Sequence, residues 1–489
     1  MFAELHVERG RLRAVLPCLH GTIIRNETDT FKYPGCHVFP GFVDTHAHIA
    51  GLGEKLSLIS LHGSESMEEC LANLLAGKPQ SNGWIRAMGW NQERWNPNHW
   101  PTKDSIDQHF PETPVVASRI DGHAFWVNSV ALQRAGIDPH GHSGILIDDQ
   151  MNAIWEALPA HSNVDLRQMI VAATNMCSQM GITEVHDMDV SGQVLSMFRE
   201  LAEEGLLPVR VQSFVRAQHN EWQSWGLLPA IGEFHRSAGV KMFADGALGS
   251  RGALLRDPYV DDSSTSGIST LSVEQMIDRC RNAIDAGWAC IATHAIGDEA
   301  VRRVLDVYEH VRSWSDSKDT ILRIEHAQHV HPEDLTRMAS LNITACVQPI
   351  HCMSDASMAE LRLGAERCGW SYRWKSLLDL GIPFGAGSDF PIESPDVLAG
   401  IEAFVRRVPP GMQQSWQPQE RISRAQAINA YTAGGHATSG MEYRRGHIRL
   451  GFDADLVVLE RDIESCSEID ISSTRVVATF AAGRPRYMI

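Results

Sequence analysis

Between residues 40 and 389 the chain repeats one rhythm, an apolar run followed in most cases by a helix-length segment. The first run leads into His46, and the others fall at 182–186, 209–215, 240–243, 289–294, 321–326, 343–348 and 383–389. Helix-like patterns cover 165–180 and 190–204, and two more near 396–407 and 423–433 close the series. Eight alternating strand–helix units make a (β/α)8 barrel far more often than an open sheet. The expected fold class is therefore α/β, a TIM barrel spanning 40–436.

The ends of the chain follow a different pattern. Residues 1–39 read as short strands at 2–7 and 11–16 around Arg9-Gly10, then 21–24 and 36–39. Residues 437–489 offer further runs at 447–450, 454–459 and 476–481. Neither piece is large enough to bury a face alone. The expectation is a composite β-sandwich domain, 1–39 forming one half and 437–489 the other.

A large insert, 52–164, interrupts the rhythm after the first strand. It carries Trp84, Trp90, Trp95, Trp100, Trp126 and Trp155, six of the thirteen tryptophans. These aromatics either wall a substrate pocket as a cap or pack a small core of their own.

Composition narrows the function classes. A net charge of -17 argues against nucleic acid or an anionic membrane as partner. No apolar run approaches the roughly 20 residues that span a bilayer. The start, Met1-Phe-Ala-Glu-Leu-His-Val-Glu8, is acidic where a signal peptide is basic and then apolar. Ten cysteines without a C-x-x-C pair read as reduced thiols, so the cytoplasm is the expected location. A homodimer is the default expectation for oligomeric state.

The chemistry begins at Pro40-Gly-Phe-Val-Asp-Thr-His-Ala-His48. His46 and His48 lie two positions apart, so in a strand they project to the same side. Barrel chemistry sits at the carboxyl ends of the strands. Residues at the other strand ends are Lys241, His294, His326 and Asp389. A single strand-end histidine is ordinarily a hydrogen-bonded core residue. Four imidazoles, a carboxylate and a lysine at one rim form the inventory of a metal site.

These segments resemble the amidohydrolase superfamily, in particular its amidohydrolase-3 branch, which includes N-substituted formamide deformylases. The likeness rests on Pro40–His48, Asp121-Gly-His-Ala-Phe-Trp-Val-Asn, Gly239-Val-Lys-Met-Phe-Ala-Asp-Gly-Ala-Leu-Gly-Ser-Arg251, Thr293-His-Ala-Ile-Gly-Asp298, Arg323-Ile-Glu-His-Ala-Gln328, Gly387-Ser-Asp-Phe-Pro391 and Gly451-Phe-Asp-Ala-Asp-Leu-Val457. The resemblance implies two divalent metal ions, with His46, His48 and Asp389 on one and His294 and His326 on the other. Lys241, carboxylated on its amine (N6-carboxylysine), would bridge them. A salt bridge from Lys241 to Asp245 or Glu184 is the alternative, and it leaves room for a single metal. Zinc suits the imidazole-rich set, and manganese, iron or cobalt would fit the same ligands.

The activity implied is hydrolysis of a carbon–nitrogen bond in a small amide, an N-acyl or N-formyl amine. A metal-bridging hydroxide would attack, with Asp389 as general base and then acid. A cyclic amidase of hydantoinase type, or an esterase, would use the same groups, and a non-catalytic scaffold is the reading from a different class. Arg119, Asp121 and His123 would either bind substrate or anchor their own loop. Gln328, Gln348 and His351 follow strands six and seven and would hydrogen-bond substrate. His186 and Asp187 read as supporting residues, and His329 and His331 as solvated.

Overall fold

The protein is described from a computed structural model covering residues 1–219, 221–224 and 230–489. Its central sheet has eight parallel strands in chain order: Phe42–Ala47, Ile182–Val190, Arg210–Arg216, His235–Phe243, Cys290–Ala295, Ile321–His326, Thr344–Val347 and Phe384–Ala386. Several are buried along their whole length, as a sheet covered on both faces must be. Helices alternate with them. Asp298–Arg312 shows why such a segment is helical: Val301, Val304, Leu305, Tyr308 and Val311 recur at three- and four-residue spacing on its buried face. Its first turn carries Asp298 and Glu299 and its last His310 and Arg312, each matched to the helix dipole.

The ends of the first and last strands are stitched together. Asp389 N–H donates to the His46 carbonyl at 2.7 Å, and His48 N–H to the Phe390 carbonyl at 2.8 Å. Ser388 Oγ donates to the buried Asp44 carboxylate at 2.6 Å. Gly387 permits this approach, because a Cβ there would lie 2.5 Å from His46 N. The architecture is a TIM barrel, and the contacts that close it also bring the two ends of the site together.

A β-sandwich is built from both ends of the chain. One sheet orders Arg11–Pro17, Ala3–Glu8, Gly21–Arg25 and Thr30–Pro34; the other orders Arg484–Met488, Val476–Ala481, Leu456–Leu459 and His37–Pro40. Leu5, Val7 and Ile24 from the front share one core with Leu456, Val458 and Phe480 from the back. Residues 447–450 are not a strand, contrary to expectation. The neighbouring loop instead meets the second strand through Gly451 N–H to the Leu12 carbonyl and Leu12 N–H to the Phe452 carbonyl. Thr30–Pro34 and Arg484–Met488 are strands that the sequence did not announce. Both lie at sheet edges, where few residues are buried and the apolar signal is weak.

Beneath the barrel, buried charges tie the C-terminal segment to the strands. Arg445 pairs with Glu184, and donates from Nε to Asp453 at 3.0 Å. Arg210 grips Asp455 through two bonds of 2.8 and 3.1 Å. Burial works to raise the pKa of Glu184, but Arg445 and His436 outweigh it and hold the carboxyl well below its ordinary range. Removing one partner of a buried pair leaves the other charge unsatisfied. Arg445→Ala should therefore cost about 3 kcal/mol, read as a lowered midpoint in chemical denaturation. A depressed carboxylate contributes stability that is present above its unfolded pKa and lost as pH falls through the folded value. The wild type should accordingly lose more stability than the variant on acidification below about pH 4.

Residues Ala50–Ala173 make a separate compact unit. Its five-stranded sheet orders Ile145–Ile147, Ala124–Val127, Val115–Arg119, Ile85–Trp90 and Ile59–Ser60. Trp90, Trp95 and Trp126 cluster in its core with Leu61 and Ile85, and Trp84 packs on Val127 and Leu132 in a second layer. These four indoles serve the unit's own packing, whereas Trp100 and Trp155 are about half exposed.

Candidate metal centre

His46, His48, Lys241, His294, His326 and Asp389 all line one cavity of about 580 Å³. Asp389 Oδ1 lies 3.1 Å from His48 Nε2 and 3.7 Å from His46 Nε2, and these three side chains could hold a cation together. On the other side, His351 Nε2 approaches Asp389 Oδ2 at 3.7 Å, and His326, His351 and Asp389 form a second such group. The His294 ring stands 4.5 Å from that of His326. His326, Ala327 and Asp389 have φ of 74°, 44° and 58°, in the left-handed region. Such strain at non-glycine residues persists where surrounding structure enforces it, and it concentrates at functional sites.

Each imidazole is oriented from behind. His46 Nδ1 meets Glu325 at 2.5 Å, His294 Nδ1 meets Asp245 at 2.9 Å, and His326 Nδ1 meets the side-chain Oε1 of Gln348 at 2.7 Å. Glu325 is in turn held by Arg323, with Nε to Oε1 at 2.8 Å. An Nδ1–H directed at an acceptor leaves the Nε2 lone pair for the cavity. Burial pushes His46 down to about 4, and drives His326 well below its ordinary value. Both are neutral at neutral pH, the form that binds metal. For Asp389 burial acts upward, but the His48 hydrogen bond and the nearby imidazoles outweigh it and hold the carboxyl well below its usual range.

Two observations bear on whether these residues suit a divalent cation. His48 faces an acceptor at each nitrogen, the Met188 carbonyl 3.1 Å from Nδ1 and Asp389 at Nε2. A neutral imidazole has a single N–H and cannot satisfy both. A second proton would, since burial acts downward on this imidazole but Asp389 outweighs it and raises it, and so would a cation shared by Nε2 and the carboxylate. Lys241 is 0% exposed and its Nζ has no hydrogen-bond partner. An unpaired buried ammonium is costly, and burial pushes this amine down. The two alternative partners are engaged elsewhere: Asp245 accepts from His294, Leu254, Ile296 and Gly297, and Glu184 pairs with Arg445. The donor set fits divalent metal.

The family model described as "Amidohydrolase family" matches residues 34–487. The chain belongs to the amidohydrolase family. It is 34% identical to YtcJ of Bacillus subtilis (strain 168), over 89% of this chain and 86% of that one. Identity to the N-substituted formamide deformylase of Arthrobacter pascens is 24%, over 94% and 90%. The crystal structure of an uncharacterized metal-dependent hydrolase from Pyrococcus horikoshii OT3 superposes with a TM-score of 0.79 at 27% identity, covering 95% of this chain and 99% of that one. This amidohydrolase is thus related to metal-dependent hydrolases along nearly its whole length, and among its described residues no helix is long and apolar enough to cross a membrane.

The remaining residues singled out in this amidohydrolase fall into distinct places. Gln348 is engaged twice, by His326 and by the Cys346 carbonyl at 3.2 Å, so it braces an imidazole. Gln328 lines the cavity and donates to Tyr372 Oη at 2.6 Å, and Tyr372 donates onward to Asp355 at 2.6 Å. Arg119, Asp121 and His123 belong to the Ala50–Ala173 unit. There Arg119 pairs with Asp121 and donates to Gln92 at 2.9 Å, and exposed His123 meets Asp148 at 2.9 Å. His186 is buried between Glu184 and Arg323, and Asp187 accepts from Ile49 N–H at 2.6 Å. His329 is buried rather than solvated, its Nδ1 2.8 Å from Ser371 Oγ, and His331 caps the helix Pro332–Ser340. His329 departs from the expectation because the loop after strand six folds back against 370–372, whereas His331 stays partly exposed. Sequence reading did not single out Glu325 or Asp44 for their roles here. An acid one residue before the strand-six histidine, or two before the first, was the available signal.

Proposed function

We propose that this chain is a metal-dependent hydrolase of a carbon–nitrogen bond, acting on a small N-acyl or N-formyl amine. The observation that carries the reading is the convergence on one cavity of four braced imidazoles, Asp389 and the orphaned Lys241 amine. The likeness to a formamide deformylase and to a metal-dependent hydrolase supports it. His46, His48 and Asp389 would hold one divalent ion, and His294 and His326 a second. Lys241 would join them as its carbamate, and zinc is the natural choice for this donor set.

Bound there, such ions polarise a carbonyl and render water nucleophilic near neutral pH. The protein's own part is positioning and proton handling. Glu325, Asp245 and Gln348 keep Nε2 of three imidazoles aimed at the cavity. Asp389, kept ionised, takes the proton from the attacking water and delivers it to the departing nitrogen, so that an amine leaves instead of an amide anion. Burial in the barrel mouth strengthens each of these interactions.

The test is a substrate screen on zinc-loaded protein across N-formyl amines, N-acyl amines, cyclic imides and aryl esters of similar size. The open-chain amides should be turned over fastest. Preferential opening of cyclic imides, or hydrolysis of esters alone, would overturn the choice of bond.

A further inference from the structure

The cavity that holds the candidate centre also carries information about what enters it. Its wall is largely apolar, formed by Phe243, Leu248, Ile296, Met358, Pro391 and Ile392. Toward the segments 354–358 and 391–393 it also carries two carboxylates, Asp355 and Glu393. Both are oriented by hydroxyls: Ser354 Oγ donates to Glu393 at 2.6 Å, and Tyr372 Oη to Asp355 at 2.6 Å. Among the described lining residues Lys241 is the only amine, and no guanidinium is present. The lining therefore holds no arginine or second lysine with which to clamp a carboxylate or phosphate on the substrate.

We propose, building on the amide-hydrolase reading above, that the substrate is an apolar amide whose substituent is uncharged or ends in a protonated amine. Glu393, with Asp355 beside it in the same cavity, is the specificity determinant. Away from the metal ligands, a substituent ending in a carboxylate meets the Glu393 and Asp355 carboxyl groups and finds no arginine or lysine to pair with. A protonated amine meets the same charges with the opposite sign, while the methylene chain behind it covers the apolar wall. This selection disfavours amino acids acylated on nitrogen and favours acylated simple amines and diamines.

Three formamides of one chain length isolate the charge: N-formylhexylamine, N-formyl-1,6-diaminohexane and 6-formamidohexanoate. KM and, by calorimetry, dissociation constants are measured on the zinc-loaded full chain. The carboxylate should bind at least about tenfold more weakly than the neutral compound, and the amine as tightly or more so. Glu393→Gln should narrow the spread, and Glu393→Lys should reverse the order of the two charged compounds. Equal binding of all three to the wild type would overturn the proposal, as would an unchanged order in both variants. The wild-type comparison stands even if a variant does not fold. Should the binding order appear without hydrolysis of any formamide, the choice of scissile bond fails while the charge selection stands.

Discussion

Lys241→Ala should fall from about two metal ions per chain to one or fewer, and lose turnover by about 10³-fold. The amine is fully buried with no partner, 4.5 Å from the Phe243 ring centroid, and its sequence alternatives Asp245 and Glu184 are occupied. A lysine so desolvated has its neutral amine favoured, and that form can react with carbon dioxide. The resulting carbamate would supply two oxygens and a negative charge. Acetate or propionate at high concentration, entering the space of the truncated side chain, should partly restore both metal content and rate in the variant. It should do nothing for the wild type. Full metal content and a near-normal rate in Lys241→Ala would remove the bridging role.

The second large effect belongs to Asp389→Ala. This change opens a space as Lys241→Ala does, and removes the carboxylate to which the proposed mechanism assigns proton transfer between water and leaving nitrogen. kcat should drop by about 10³-fold, and short carboxylic acids should give no rescue. The contrast between the two variants separates a ligand that an outside carboxylate can imitate from a base whose position matters. Comparable rescue of both would mean that Asp389 serves only as a ligand.

Much of this was legible in the sequence because it obeys simple periods. His46 and His48 share a side since strand side chains alternate, and the helix–strand rhythm placed Lys241, His294, His326 and Asp389 at strand ends. Closure was not legible. The bonds from Asp389 to His46 and from Ser388 to Asp44 join residues more than three hundred positions apart, and no local pattern encodes them. Nor do composition or spacing announce the left-handed backbone at His326 and Asp389. The tryptophans of the insert were ambiguous for a related reason. An indole looks the same in sequence whether it lines a pocket or fills a core, and four of the six fill the core. His351 entered the reading as a substrate group, yet its approach to Asp389 also makes it part of a possible cation-binding group.

The central claim is that this barrel mouth is a divalent metal centre. Elemental analysis of wild-type protein, purified without chelators and with protein concentration determined independently, tests it most directly. The account predicts close to two divalent ions per chain, retained through gel filtration. Protein that carries none, and takes up none when zinc, manganese, iron or cobalt is added, would contradict it.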